Sequence, residues 1–434
     1  LKAKIVDTAA NTPARSTERP SAFRLPRNVW VVTITSFLTD VSSEMLFNLL
    51  PIFLFNVLGT RTDLIGVIEG VAESTASLLK MVSGWLSDRL GKRKALAVFG
   101  YALSTAAKPL LYFANSWLWV LGMRFADRTG KGLRTAPRDA LVADSVDQGH
   151  RGLAFGLHRA GDTGGAVVGI LVALIVVLAS EGGGMLERST FQRIVLLSLI
   201  PAVLAVLVLA LGAHDVSRVD GSTTRSGAPD GASAGLNLRM GDRGFLMFLV
   251  IIVLFTLGNS SDAFLILRAE QAGLSVVGVL GMMLTFNLVY AALSGPSGAL
   301  SDRIGRRTLL LIGWAIYAAV YLGFAVANAG WQTWALMTVY GVYYGVSEGV
   351  ARAFVADLVP APQRGSAYGA YHAAVGLTAL PASLIAGVLW QGVGKWQGYG
   401  PPAPFLFGAL MALVAVVSLA SLKVPGPAFG GESS

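Results

Sequence analysis

The amino-acid sequence predicts an all-α integral membrane protein: about twelve spans in two pseudo-symmetric six-helix bundles around a central cavity. Three observations carry that prediction. The chain of 434 residues is 54% hydrophobic and only 14% charged, with a mean hydropathy of +0.61, where a soluble chain carries about 25% charged residues. Its apolar runs approach 20 residues, roughly what the 30 Å hydrocarbon core of a bilayer requires. The stretch GWLSDRLGKRK, beginning at Gly84, returns as GALSDRIGRR at Gly298, each time at the end of a long apolar run. Membrane β-barrels show short alternating strands instead, and the sequence has no such alternation.

The elements follow in order. Residues 1–27 are polar and basic without the apolar segment of a secretory signal, so the first span is expected to be retained. Apolar runs of helical length fall at 28–57, 62–86, 95–114, 116–143, 152–180 and 191–213. After a polar stretch they resume at 244–269, 275–299, 307–328, 331–357, 365–391 and 402–423. The expected organisation is a cytoplasmic tail (1–27), a first bundle (28–213), a linker (214–243), a second bundle (244–423) and a second cytoplasmic tail (424–434). The linker is rich in Gly, Ser and Asp and lacks periodicity, as flexible connectors do.

Charge sorts by loop. Alternate loops on the side of both termini hold about twenty Lys and Arg against about five opposite, so both termini are expected in the cytoplasm. The net charge of +9 therefore follows the bilayer and not nucleic acid, which gives no reason for loop-by-loop alternation. Short loops suggest a bacterial inner membrane, and a monomer is expected. Without cysteine the chain has no disulfide, thiolate metal site or cysteine nucleophile, and only four histidines remain. No cofactor or metal is expected. An enzyme is disfavoured too: GKGLRT at Gly130 lacks phosphate-loop spacing and lies within a span.

The halves align with each other. SSE at Ser42–Glu44 matches SSD at Ser260–Asp262, and VADSVDQGHRGLAFGLHRA from Val142 matches VADLVPAPQRGSAYGAYHA from Val355. Parallel repeats of six spans are the organisation of rocking transporters with a site between the halves. GWLSDRLGKRK resembles motif A of the major facilitator superfamily, and GALSDRIGRR its second-half counterpart. The resemblance covers essentially the whole chain and implies alternating access. It assigns Gly84, Asp88, Arg89, Gly91, Gly298, Asp302, Arg303 and Gly305 to a gating latch that holds the outward-facing state, with Gly84 and Gly298 allowing close helix approach and Arg89 and Arg303 pairing across the halves. Arg124 stands where a motif-B arginine is expected, but Asp127 and Arg128 replace the usual Gln and Gly. GLHRAGDTGG resembles the glycine-rich motif C of antiporters, with Asp162 in place of its proline.

Ionisable residues inside spans cost about 2.5–3.5 kcal/mol or more unless paired or hydrated, so each is a functional candidate. On the fourth span Arg124, Asp127 or Arg128, Lys131, Arg134 and Arg138 recur at three- and four-residue spacing, one stripe about 21 Å long. Internal pairing would join Asp127 to Lys131 or Arg138 to Asp162, and Lys80 and Lys108 to Glu69 and Glu73. The substrate-facing candidates are Arg124, Arg128, Lys131, Asp40 and Tyr290. The proton-coupling candidates are Glu44, Asp262, Asp127, Asp162 and His372. His158 and Arg159 align with Tyr371 and His372, and Glu348 and Arg352 read as a pair one turn apart. The guanidinium cluster leans toward a small organic anion, carried by a proton-coupled secondary transporter. Drug efflux, favoured by Asp40 and Glu44, and metal-ion export are the alternatives.

Overall fold

A computed structural model describes residues 25–90, 92–147, 150–180, 185–215, 243–360 and 363–422. Both tails up to Arg24 and from Lys423, the linker over 216–242, and Gly91 of the first motif A lie outside the described residues. Twelve helical segments follow one another: α1 (Arg27–Val57), α2 (Thr62–Leu90), α3 (Arg93–Phe113), α4 (Trp117–Asp144), α5 (Arg151–Ala179), α6 (Arg188–Gly212), α7 (Arg243–Gln271), α8 (Val276–Ile304), α9 (Arg306–Val326), α10 (Gly330–Leu358), α11 (Arg364–Gln391) and α12 (Pro402–Ser421). No strand occurs among the described residues.

Local chemistry sets several boundaries. Ser116 and Ser275 begin α4 and α8 by accepting the backbone N–H groups of Trp119 and Gly278. Gly305, at φ 91°, makes the sharp turn between α8 and α9, a conformation open to glycine. Nine of the helices among the described residues are long and apolar enough to cross a membrane by composition alone. The other three, α2, α4 and α10, carry many of the ionic and tyrosine side chains that face the centre.

The two bundles pack alike. In the first, α1 lies against α5 and α6, and α4 against α2 and α3; in the second, α7 lies against α11 and α12, and α10 against α8 and α9. The bundles meet chiefly along α2 and α11, and less extensively along α5 and α8. Away from the termini the α2–α11 seam is closed by close backbone approach. A Cβ on Gly66 would lie 2.3 Å from the Ser383 carbonyl oxygen, and one on Gly387 would lie 2.7 Å from the Asp63 Cα. Ser74 Oγ donates to the Gly376 carbonyl at 2.7 Å, Arg61 to the Gly392 carbonyl at 3.1 Å, and Asn56 to Glu270.

The structure departs from the sequence expectation in the seventh span. Instead of one helix over 244–269, α7 is two helices, Arg243–Gly258 and Ala263–Gln271, parted by Asn259–Asp262. Two of the break's polar groups find partners from the tyrosines around it: Tyr317 donates to the Gly258 carbonyl at 2.9 Å, and Tyr340 to Asp262 at 3.0 Å. Around the repeated motif the ends of α4 and α10 are held identically. Arg93 donates to the Ala140 carbonyl at 2.8 Å and pairs with Asp144; Arg306 donates to the Ala353 carbonyl at 2.8 Å and pairs with Asp357 at 2.6 Å. Cations there satisfy terminal carbonyls and oppose the negative helix end.

Two expectations for the motif are corrected in this conformation. Arg89 does not pair across the halves but lies over Trp85 of its own helix, 5.4 Å from the ring centroid. Gly298 makes no close approach, since nothing lies within 4 Å of where its Cβ would be, and Gly84 meets only Ala136 of its own half at 3.5 Å. The physical reason is the position of the seam, which is closed at the opposite end. Asp302 is exposed and reaches Arg306 at 3.4 Å, Arg303 is exposed, and Asp88 lies near the end of α2.

Candidate functional site

Between the bundles lies a continuous cavity. Its inner chamber, of about 470 Å³, continues toward the side of the termini into a wider part of about 740 Å³; small-molecule sites span about 300–1,000 Å³. Arg124, Arg128, Lys131, Asp40, Glu44, Asp127 and Asp262 line the inner chamber. Tyr290, Asp162 and His372 line the wider part, with Lys80, Arg159, Glu348 and Arg352. The stripe on α4 thus faces the cavity and the carboxylates of α1.

The pairing within the stripe differs from expectation. Arg124 is buried and binds Glu69 of α2 at 2.5 Å; one turn on, Arg128 reaches Glu73 at 3.3 Å. Both guanidinium groups also lie over the face of Phe47, at 4.4 and 5.5 Å. Asp127 does not pair with Lys131; it accepts from Ser104 and lies 3.8 Å from Arg128. Arg138 binds Asp139 at 2.9 Å and Ser36 at 3.2 Å and not Asp162. Lys108 is buried and donates to Ser42 Oγ at 2.5 Å and Ser43 Oγ at 3.2 Å, leaving Glu69 and Glu73 to the arginines. A helix places residues four apart on one face, so Glu69 and Glu73 on α2 meet Arg124 and Arg128 on α4 as two rungs. That matching spacing was the available signal in the sequence.

The rungs are not alike. Glu69 is one-tenth exposed at its side chain, whereas Glu73 is 47% exposed and opens onto the cavity. Arg124 Nε and Nη1, Arg128 Nε and Arg134 Nη1 are buried without a hydrogen-bond acceptor. Asp40, Glu44 and Asp262 form no ion pair among the described residues; Glu44 accepts from Asn48 at 2.9 Å, and Asp262 from Tyr340. Glu348 and Arg352 pair as expected, and Glu348 also accepts from Tyr290 at 2.5 Å and from Arg159 of the opposite half at 3.3 Å.

The second half contributes rings. Tyr344 lies edge-on to Phe286, Tyr340 and Tyr343, at centroid distances of 5.4, 5.2 and 5.2 Å. Phe255 stacks on Trp314 at 4.5 Å. Asn259, Ser260 and Ser261, in the break of α7, and Asn287 of α8 face the same chamber. Sequence reasoning missed this neutral wall because tyrosine in a span reads equally as packing. It missed the α7 break because that stretch carries no proline.

Twelve helices in two like bundles around a polar cavity are the architecture of a polytopic membrane transporter. The sequence profile of the Major Facilitator Superfamily matches residues 32–286 and 263–433, and the chain belongs to that superfamily; it is a transporter and not an enzyme. It is 33% identical over 401 residues to an uncharacterized MFS-type transporter of Methanocaldococcus jannaschii, covering 90% of this chain and 94% of that one. It is 25% identical over 340 residues to the class G tetracycline resistance protein of Vibrio anguillarum, covering 77% and 81%. Among solved structures the nucleoside transporter NupG superposes with a TM-score of 0.73 at 12% identity, covering 92% of this chain and all of that one. A D-xylose-proton symporter superposes at 0.71 and 16%, covering 92% and 98%.

Proposed function

We propose that the chain is a proton-coupled secondary transporter of a small organic anion, working by alternating access. One observation carries this reading: buried arginines with unused donors and Lys131 share a chamber with three carboxylates, Asp40, Glu44 and Asp262, that lack basic partners. With every group ionised, the acids of the inner chamber outnumber its bases, six to four. Protonating the unpaired carboxylates removes that excess, after which the guanidinium and ammonium donors favour an incoming carboxylate or phosphate. Proton and anion then bind together and leave together. The ring wall of the second half supports an organic solute over an inorganic one. The halves, sealed at one end and apart at the other, fit one state of the cycle, and the motif A residues fit the latch of the other. Both termini are taken as cytoplasmic, in a bacterial inner membrane, with a monomer as the working unit.

The test is flux. Purified protein in proteoliposomes with an imposed pH gradient, acid outside, should accumulate one of a panel of organic monocarboxylates and organic phosphates, with protons entering alongside. Accumulation of cations alone, or anion flux indifferent to the gradient, rejects the reading. A second reading is proton-driven drug efflux. It rests on the unpaired Asp40 and Glu44, which suit a cationic ligand, and on the likeness to a tetracycline resistance protein. Cation counterflow against protons in the same vesicles would select it.

A further inference from the structure

Beside the wider part of the cavity, four helices of the first bundle share a buried hydrogen-bond chain. His158 Nδ1 lies 3.3 Å from Asp162 Oδ2 one turn along α5, and its Nε2 lies 3.2 Å from Ser36 Oγ of α1. Ser36 Oγ is 3.2 Å from the Tyr101 hydroxyl of α3 and accepts from Arg138 Nη1 of α4 at 3.2 Å. Ser36, Tyr101 and His158 are all more than nine-tenths buried, while Asp162 reaches the cavity. Beyond Tyr101 the chain returns to the cavity, because Arg134 lies 4.4 Å over the Tyr101 ring and has an unpartnered Nη1.

We propose that His158 and Asp162 form a proton-binding site, and that Ser36 and Tyr101 pass the resulting reversal of hydrogen-bond direction toward Arg134. Hydrogen-bond accounting supplies the reason. A hydroxyl offers one donor and two acceptor positions. With His158 neutral, Nδ1–H donates to Asp162, Ser36 donates to Nε2, and Ser36 accepts from Arg138 and Tyr101, so every position is used. A proton taken from cavity water forms an Nε2–H bond, and imidazole becomes imidazolium beside the Asp162 carboxylate. Nε2–H must now donate to Ser36. With its two acceptor positions taken by His158 and Arg138, Ser36 turns its own proton onto the Tyr101 oxygen. The Tyr101 hydroxyl proton then points away from Ser36, on a ring whose face carries the Arg134 guanidinium. One proton therefore reverses the whole chain and changes the setting of a cavity arginine without moving a helix.

The charged and titratable groups facing this pair are Asp40 of α1, Arg134 and Arg138 of α4, Tyr101 of α3, and Arg159 on α5 itself, which Tyr290 and Glu348 meet from the other half. The inference rests on the proton-coupled reading but is tested without substrate, so the two can fail separately. The intact protein labelled with nitrogen-15 histidine is titrated by NMR between about pH 8 and pH 5, the range in which imidazole changes charge, with the His158 resonance assigned by its loss in His158→Gln. The expected result is an Nδ1–H neutral ring that becomes imidazolium on acidification, with the tautomer preference lost in Asp162→Asn. Should His158→Gln not fold, His158 is the signal that survives in each of His150→Gln, His214→Gln and His372→Gln. A His158 ring that stays neutral throughout, or an Nε2–H neutral tautomer, overturns the proposal. So does an Asp162→Asn protein whose His158 signals match the parent.

Discussion

The two bundles solve the same packing problem with opposite chemistry. Counted back from Asp144 and Asp357, which hold equivalent ends of α4 and α10, Arg124 corresponds to Met337, Asp127 to Tyr340, Arg128 to Gly341, Lys131 to Tyr344 and Arg134 to Ser347. Counted back from the motif A glycines, Glu69 and Glu73 of α2 correspond to Met283 and Asn287 of α8. Where the first half builds the rungs Arg124–Glu69 and Arg128–Glu73, the second places thioether, amide and glycine. Where the first buries Asp127 against Ser104, the second sets Tyr340 beside Tyr317, ring centroids 6.1 Å apart. The second bundle shows that the fold closes without ions at these positions. Buried ion pairs add little net stability over apolar residues of similar size, so packing alone does not require the ions of the first half.

The comparison breaks most visibly at the innermost rung. Arg124→Met alone leaves Glu69 buried beside an apolar side chain and should cost about 3–5 kcal/mol, read as a large drop in the thermal midpoint together with lost transport. Copying the second half fully, with Arg124→Met and Glu69→Met together, should restore most of that stability and none of the transport. A double variant that transports would make the rung architectural. Next in size, Lys131→Met should weaken anion binding about ten- to a hundredfold, the worth of a charged hydrogen bond, with the melting curve little changed; unaltered affinity removes Lys131 from the site. Glu44→Gln should abolish proton-driven accumulation while sparing anion exchange at equal pH, and accumulation that persists denies Glu44 a proton-carrying role. Tyr344→Leu should cost about 1 kcal/mol, near fivefold, in affinity for ring-bearing solutes and nothing for acyclic ones. The smallest effect is expected of Asp302→Asn. Its carboxylate is 67% exposed and Arg306 keeps Asp357, so stability should shift by less than about 1 kcal/mol; a large loss would give Asp302 a structural role.

Span positions, the repeat and the ionic stripe were legible because each rests on spacing or on bilayer cost, both of which act through local sequence. Every substrate and proton candidate named from sequence lines the cavity. Partners were another matter. Asp127 and Lys131 share helical spacing, yet Arg128 and Ser104 lie nearer the carboxylate. Lys108 turned to two serines of α1, which no single-helix pattern could announce. Pairing is decided between helices, by the rotation each takes on its neighbours.

The α2–α11 seam has a consequence for how the molecule responds to its surroundings. At the end away from the termini it is shut mainly by backbone touching backbone around Gly66 and Gly387 and by a serine hydroxyl on a carbonyl. Toward the termini the contacts spanning the halves include the partly exposed Arg159–Glu348 pair. Dissolved salt weakens exposed ionic contacts and leaves steric ones nearly untouched. Raising ionic strength should therefore loosen the Arg159–Glu348 contact more than the backbone contacts around Gly66 and Gly387.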